Sequence, residues 1–136
     1  MRLLFAATEC APFFKSGGLG DVLPKELAQK DHEVRVVLPS FVQLIPDEYK
    51  KNIKDVTHFT VEVGWRKQYC GIKELKLDKV TYYFIDNLYY FDRPTLYDYE
   101  DDAERFAFFQ LAAIEMLEVV DYIPDIFHVN DWQTAV

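Results

Sequence analysis

The chain has 136 residues, 23 Asp+Glu against 15 Lys+Arg, half of them hydrophobic and 16% aromatic. That supplies the core of one folded domain and excludes a disordered chain. A net charge of −8 opposes duplex nucleic acid and anionic membrane surfaces as partners, so an anionic small ligand would need a local cluster of donors.

In chain order, Leu3 to Ala7 (LLFAA) is a continuous apolar run that reads as a buried strand and is too short for a signal peptide. Gly17-Gly18-Leu19-Gly20-Asp21 follows, then Val22 to Lys30, where Leu23, Leu27 and Ala28 share a helical face. Val34 to Leu38 is the next apolar run, so these three pieces predict a βαβ unit. His58 to Val63 and Gln68 to Leu77 alternate apolar with polar residues around Gly64, as hairpin strands with one wet face do. Val80 to Ile85 returns to the buried-strand pattern.

Asn87 to Glu100, with Tyr89, Tyr90, Phe91, Pro94, Tyr97 and Tyr99, has neither period and reads as a long surface loop. Phe106, Phe109, Ala113, Met116, Leu117 and Val120 then mark one face of a helix over 101–120. Ile126 to Val129 is the last apolar run, and the chain stops at Ala135-Val136 as a further helix begins, which predicts a piece of something longer. The pattern predicts an α/β fold, Rossmann-like and doubly wound, with a mostly parallel sheet and an antiparallel hairpin. Cys10 and Cys70 lie in no metal or redox spacing, and no window has the roughly 20 apolar residues of a membrane span. A cytoplasmic protein is expected.

Two segments carry candidate chemistry. Lys15-Ser16-Gly17-Gly18-Leu19 follows the first strand, where glycines admit a ligand to the backbone and a helix start offers free N–H groups. Neither GxxxxGK[ST] nor GxGxxG is present, which removes the standard nucleotide signatures and leaves a lysine and backbone amides for a diphosphate. The plainer reading, a tight turn with a solvated lysine, stays open on loop grammar alone. The second segment is His128-Val129-Asn130-Asp131-Trp132-Gln133-Thr134. Asn130 and Gln133 both donate and accept, ionised Asp131 accepts, and Trp132 offers a flat face, a set suited to a sugar. Against that, Asp131 can cap a helix, Trp132 can fill the core and His128 can be structural. Ligands of open α/β sheets bind outside the strands' carboxyl ends, so the two segments should share one edge.

The sequence resembles the bacterial glycogen synthase and starch synthase family, glycosyltransferases of the GT-B fold. The resemblance rests on Ala6-Ala7-Thr8-Glu9-Cys10-Ala11-Pro12-Phe13, Lys15 to Val22, Val34 to Pro39, Tyr97 and His128 to Thr134. It covers essentially the whole chain but only the start of the family's length. It implies that residues 1–136 are part of an N-terminal, acceptor-side Rossmann-like domain, with the C-terminal nucleotide-binding domain outside the chain. It places Lys15 and the Gly18 amide at the donor diphosphate, and Asp21, Tyr97 and Asp131 toward the transferred glucose or the acceptor glucan. Asp21 and Asp131 are the catalytic candidates, Glu9 supports the loop or meets the acceptor, and Asn130 and Gln133 stand where many relatives have His. Between Asp21 and Pro24 the chain is about three residues shorter than the family, near one turn of ~3.6 residues. Asp31 stands where relatives commonly have Gly.

The implied reaction is retaining transfer of glucose from ADP-glucose to the non-reducing end of an α-1,4-glucan, with no cofactor and no metal. Two domains must close over the donor, so the segment alone is expected to be inactive. Two rivals come from other classes. One is a non-catalytic glucan-binding or regulatory module using Tyr89, Tyr90, Phe91 and Tyr97 as a sugar platform. The other is a response-regulator-like domain using Glu9 and Asp86, which leaves the Lys15 loop unexplained.

Overall fold

A computed structural model describes residues 1–7, 28–95, 97 and 99–129. Among these residues six strands form one sheet: β1 (Arg2–Ala6), β2 (Glu33–Pro39), β3 (Lys54–Val63), β4 (Arg66–Leu77), β5 (Val80–Asp86) and β6 (Ile126–Val129), in the order β3-β4-β5-β2-β1-β6. β5, β2, β1 and β6 run parallel, while β3, β4 and β5 form an antiparallel meander. The apolar runs explain the parallel part. Leu3, Leu4, Phe5 and Ala6 of β1 and Val36, Val37 and Leu38 of β2 are all buried, as strands covered on both faces require. β6 departs from that expectation: it is an edge strand, and Ile126 and Phe127 are exposed.

Turn chemistry fixes the meander. Asp78 and Lys79 join β4 to β5 with φ of 52° and 67°, the left-handed pair that a two-residue hairpin turn needs to match strand twist. Gly64 (φ 61°) opens the β3–β4 turn, where glycine adopts that conformation without a Cβ penalty. Asp31 also has a positive φ, 67°, just before β2, a backbone conformation that suits Gly better than most residues. Of the helix expected over Val22 to Lys30, only its end at Ala28 and Gln29 lies within the described residues; the parallel β1–β2 pairing fits the βαβ unit.

Among the described residues, three complete helices accompany the sheet: α1 (Asp47–Lys50), α2 (Leu88–Phe91) and α3 (Asp102–Val119). α3 packs on β3, β2 and β5, burying Phe106, Phe108, Phe109, Ala112, Ala113 and Met116. Asp102 and Glu104 in its first turn suit the positive end of the helix dipole. The buried Tyr122 hydroxyl reaches the Leu3 and Glu33 carbonyls at 3.2 and 3.4 Å, tying the turn after α3 to β1 and β2.

The segment 87–100 is not the irregular surface loop that its composition suggests. Asn87 caps α2, its Oδ1 accepting from the Tyr90 backbone N–H at 3.1 Å while its Nδ2 donates to the Tyr69 carbonyl at 2.8 Å. Tyr90 and Phe91 are thereby driven into the core against Phe108, with centroids 4.9 and 6.0 Å from its ring.

Candidate functional site

Among the described strands, the sheet has one topological switch point. From β1 the chain moves to β2 and on to β5 on one side, then returns to place β6 on the other side of β1. Ligands of open α/β sheets bind outside the carboxyl ends of strands at such a point, because loops leaving neighbouring strands diverge there and open a crevice. Register is in phase at this edge, with Ala6 beside Val129. The Ala7 N–H bonds the Val37 carbonyl at 3.1 Å, so the backbone is fixed up to the last described residue of the first segment.

Both candidate segments leave from here: the one carrying Glu9, Lys15, Gly18 and Asp21 follows Ala7, and the one carrying Asn130, Asp131 and Gln133 follows Val129. Those seven residues lie outside the described residues. Their points of departure share one edge of the sheet.

The aromatic segment lines the same carboxyl edge beyond β5. Tyr97 is half-buried, its ring 6.0 Å from that of Phe106. Arg93 grips Asp101 through two bonds of 2.6 and 2.7 Å and donates to the Tyr89 carbonyl at 2.9 Å. This guanidinium holds the Asp101 carboxyl below the usual carboxylate range. Arg105, fully buried, donates to the Tyr90 carbonyl and to Asp102 at 2.8 Å each, beneath the rings of Tyr99 and Phe106. Burial lowers its pKa, and Asp102 opposes that shift. The Tyr97 carbonyl itself accepts from the Thr95 hydroxyl at 3.2 Å.

Arg105 escapes a reading of periodicity, because apolar spacing takes no account of a charged residue on the buried side of a helix. Its i,i+3 spacing from Asp102 is the signal that points to it.

The imagined sugar platform of Tyr89, Tyr90, Phe91 and Tyr97 does not exist as such. Tyr90 and Phe91 are core residues, Tyr97 is half-buried, and Tyr89 is exposed. Asp86 ends β5 on a cavity of about 310 Å³ lined by Asp55, Thr57, His58, Tyr69 and Lys73. Burial raises its carboxyl pKa and Lys73, 4.0 Å away, only partly offsets this. The described residues contain no group of three or more side chains able to hold a metal. None of the described helices is long and apolar enough to cross a membrane.

Comparison with known proteins bears on the family and the fold. The family model described as the starch synthase catalytic domain matches residues 2–136. The glycogen synthase of Ligilactobacillus salivarius is 63% identical over 99% of this chain and 29% of its own length. That of Lactococcus lactis is 55% identical over 100% of this chain and 30% of its own. The chain thus spans under a third of the curated relatives it matches. The solved catalytic domain of starch synthase IV from Arabidopsis thaliana, bound to ADP and acarbose, superposes with a TM-score of 0.88 at 32% identity, over 98% of this chain and 28% of that one. The mixed, mostly parallel sheet is therefore that of a GT-B glycosyltransferase segment, and the chain belongs to the starch synthase catalytic domain family.

Proposed function

We propose that this segment is the first part of the N-terminal Rossmann-like domain of a cytoplasmic glycogen synthase that transfers glucose, with retention, from ADP-glucose to the non-reducing end of an α-1,4-glucan. The observation that carries the reading is the β1/β6 switch point, from which both motif-bearing segments depart side by side. The nucleotide-binding domain belongs to the length of the relatives beyond this chain. The exposed Ile126 and Phe127 on the edge strand are apolar surface for the rest of the domain to cover.

Breaking the bond from the sugar to the diphosphate places negative charge on the leaving group and oxocarbenium character on the ring. A fixed cation and backbone amides at the phosphates are then worth more in the transition state than in the ground state. Lys15 and the Gly18 amide take that role. Asp21 and Asp131 face the glucose, whose developing positive charge a carboxylate favours. Tyr97, Asn130 and Gln133 bind sugar hydroxyls, and Glu9 supports the Lys15 loop. No metal or cofactor takes part.

The test is incorporation of glucose from ADP-glucose into glycogen by the full-length protein, beside residues 1–136 alone. Transfer by the full-length protein and none by the segment is expected. Glycogen binding without transfer by a folded full-length protein would instead favour a glucan-binding module.

A further inference from the structure

β4 pairs with β5 only from Gly71 onward, so residues 66–70 run past the end of β5. At about 3.3 Å per residue the β3–β4 hairpin rises ~16 Å above the carboxyl edge of the parallel strands. At its tip Trp65 is 87% exposed, and Tyr89, on α2 beside it, is 56% exposed. Leaving a tryptophan in water is costly, and hairpin turns do not require one.

These rings are held rather than loose. The Arg66 guanidinium lies 5.0 Å from the Trp65 ring centroid, donates to the Tyr89 hydroxyl at 3.5 Å and pairs with Glu104 at 3.1 Å. Glu104 also takes the Tyr90 hydroxyl, and the Asn87 bond to the Tyr69 carbonyl pins the overhang to the start of α2. Arg66 is thus neutralised in place, which leaves two flat rings bridged by a fixed donor and no net charge for an anion.

Around them Glu62 and Lys67 are exposed and Gln68 is half-exposed. Charged residues are depleted at the centres of protein interfaces, so aromatic faces among charges fit a neutral ligand that is itself apolar on its ring faces and hydroxylated at its edges. That is the chemistry of a glucan.

Resting on the function proposed above, we infer that Trp65 and Tyr89, bridged by Arg66, form a platform for the distal units of the α-glucan acceptor. The hairpin lies three strands from the switch point, about 14 Å across the sheet. It therefore holds the chain several sugar units away from the end being extended. Its effect falls on affinity for long glucans and spares the chemical step.

The experiment uses the full-length enzyme carrying Trp65→Ala or Trp65→Phe, with ADP-glucose as donor and glycogen or maltotriose as acceptor. For Trp65→Ala the KM for glycogen rises about tenfold with kcat unchanged. Kinetics on maltotriose stay as in the parent, and Trp65→Phe restores most of the glycogen affinity. An unchanged KM for glycogen overturns the platform. So does an equal loss on both acceptors, which would make the tip a contact within the protein. Glycogen retardation in native affinity gels without donor separates this inference from the reading beneath it. Trp65-dependent retardation in a parent that transfers no glucose removes the proposed reaction and keeps the platform. Transfer with retardation indifferent to Trp65 does the reverse.

Discussion

The parallel strands β5, β2, β1 and β6 and the hairpin β3–β4 belong to one sheet yet use it differently. β1, β2 and β5 are apolar along most of their length, leaving few side chains there for chemistry. The candidate donor and acceptor groups accordingly sit in segments that begin where β1 and β6 stop. The hairpin alternates, with Val61, Cys70 and Ile72 buried while Thr60, Lys67 and Tyr69 face water. Its polar face is open to water, and its exposed ring sits at the turn. Strands buried on both faces act as a frame for their ends, whereas a strand wet on one face can itself become a surface.

The sharpest way to break this contrast is to delete side chains in each half. Leu4→Ala, in a fully buried position of β1, is expected to cost about 2–5 kcal/mol in denaturant unfolding. Thr60→Ala, exposed on β3, should stay within about 0.5 kcal/mol of the parent. Comparable losses at both sites would contradict a one-sided hairpin.

A smaller effect is expected where the aromatic segment is braced. Arg93→Ala removes a bidentate, mostly buried pair and should cost about 1–2 kcal/mol at neutral pH. Because Arg93 holds the Asp101 carboxyl below its usual value, the pair's contribution is present above the unfolded carboxylate pKa. It is lost as the pH falls through the lowered folded value. Stability curves of parent and variant should therefore converge in acid, and a gap that persists there would assign Arg93 a packing role only.

Asp86 has the opposite sign and the smallest effect. Burial raises its carboxyl pKa, so the ionised form is destabilising in the fold at neutral pH. Asp86→Asn should raise the unfolding midpoint at pH 7. That gain should fade as the pH drops through the raised pKa and the parent protonates. A destabilised variant at pH 7 would mean that the Lys73 pair outweighs burial.

Much of this frame is legible in the sequence, for a physical reason. Runs such as Val34 to Leu38 and Val80 to Ile85 are buried on both faces, so their composition alone identifies them. The helix over 101–120 appears as α3 because its buried side repeats at steps of three and four. Three features are less legible. α2 depends on one capping side chain, Asn87, within an otherwise aperiodic stretch. Arg105 is buried by charge pairing and ring contacts, which hydrophobic spacing does not register. The hairpin overhang follows from the unequal lengths of β4 and β5, a property of register. Of the candidate site, Tyr97 is within the described residues; of the two motifs, the structure describes only the neighbouring ends of β1 and β6 that lead into them.

The central claim is that the segment leaving β1 holds the donor phosphates at the switch point. Its most direct test is glucosyl transfer from ADP-glucose to glycogen by the full-length enzyme and its Lys15→Ala variant. Loss of a fixed donor to a developing anion predicts a fall in kcat of about 10²–10³ with the fold intact. Unchanged turnover in a correctly folded variant would contradict the assignment.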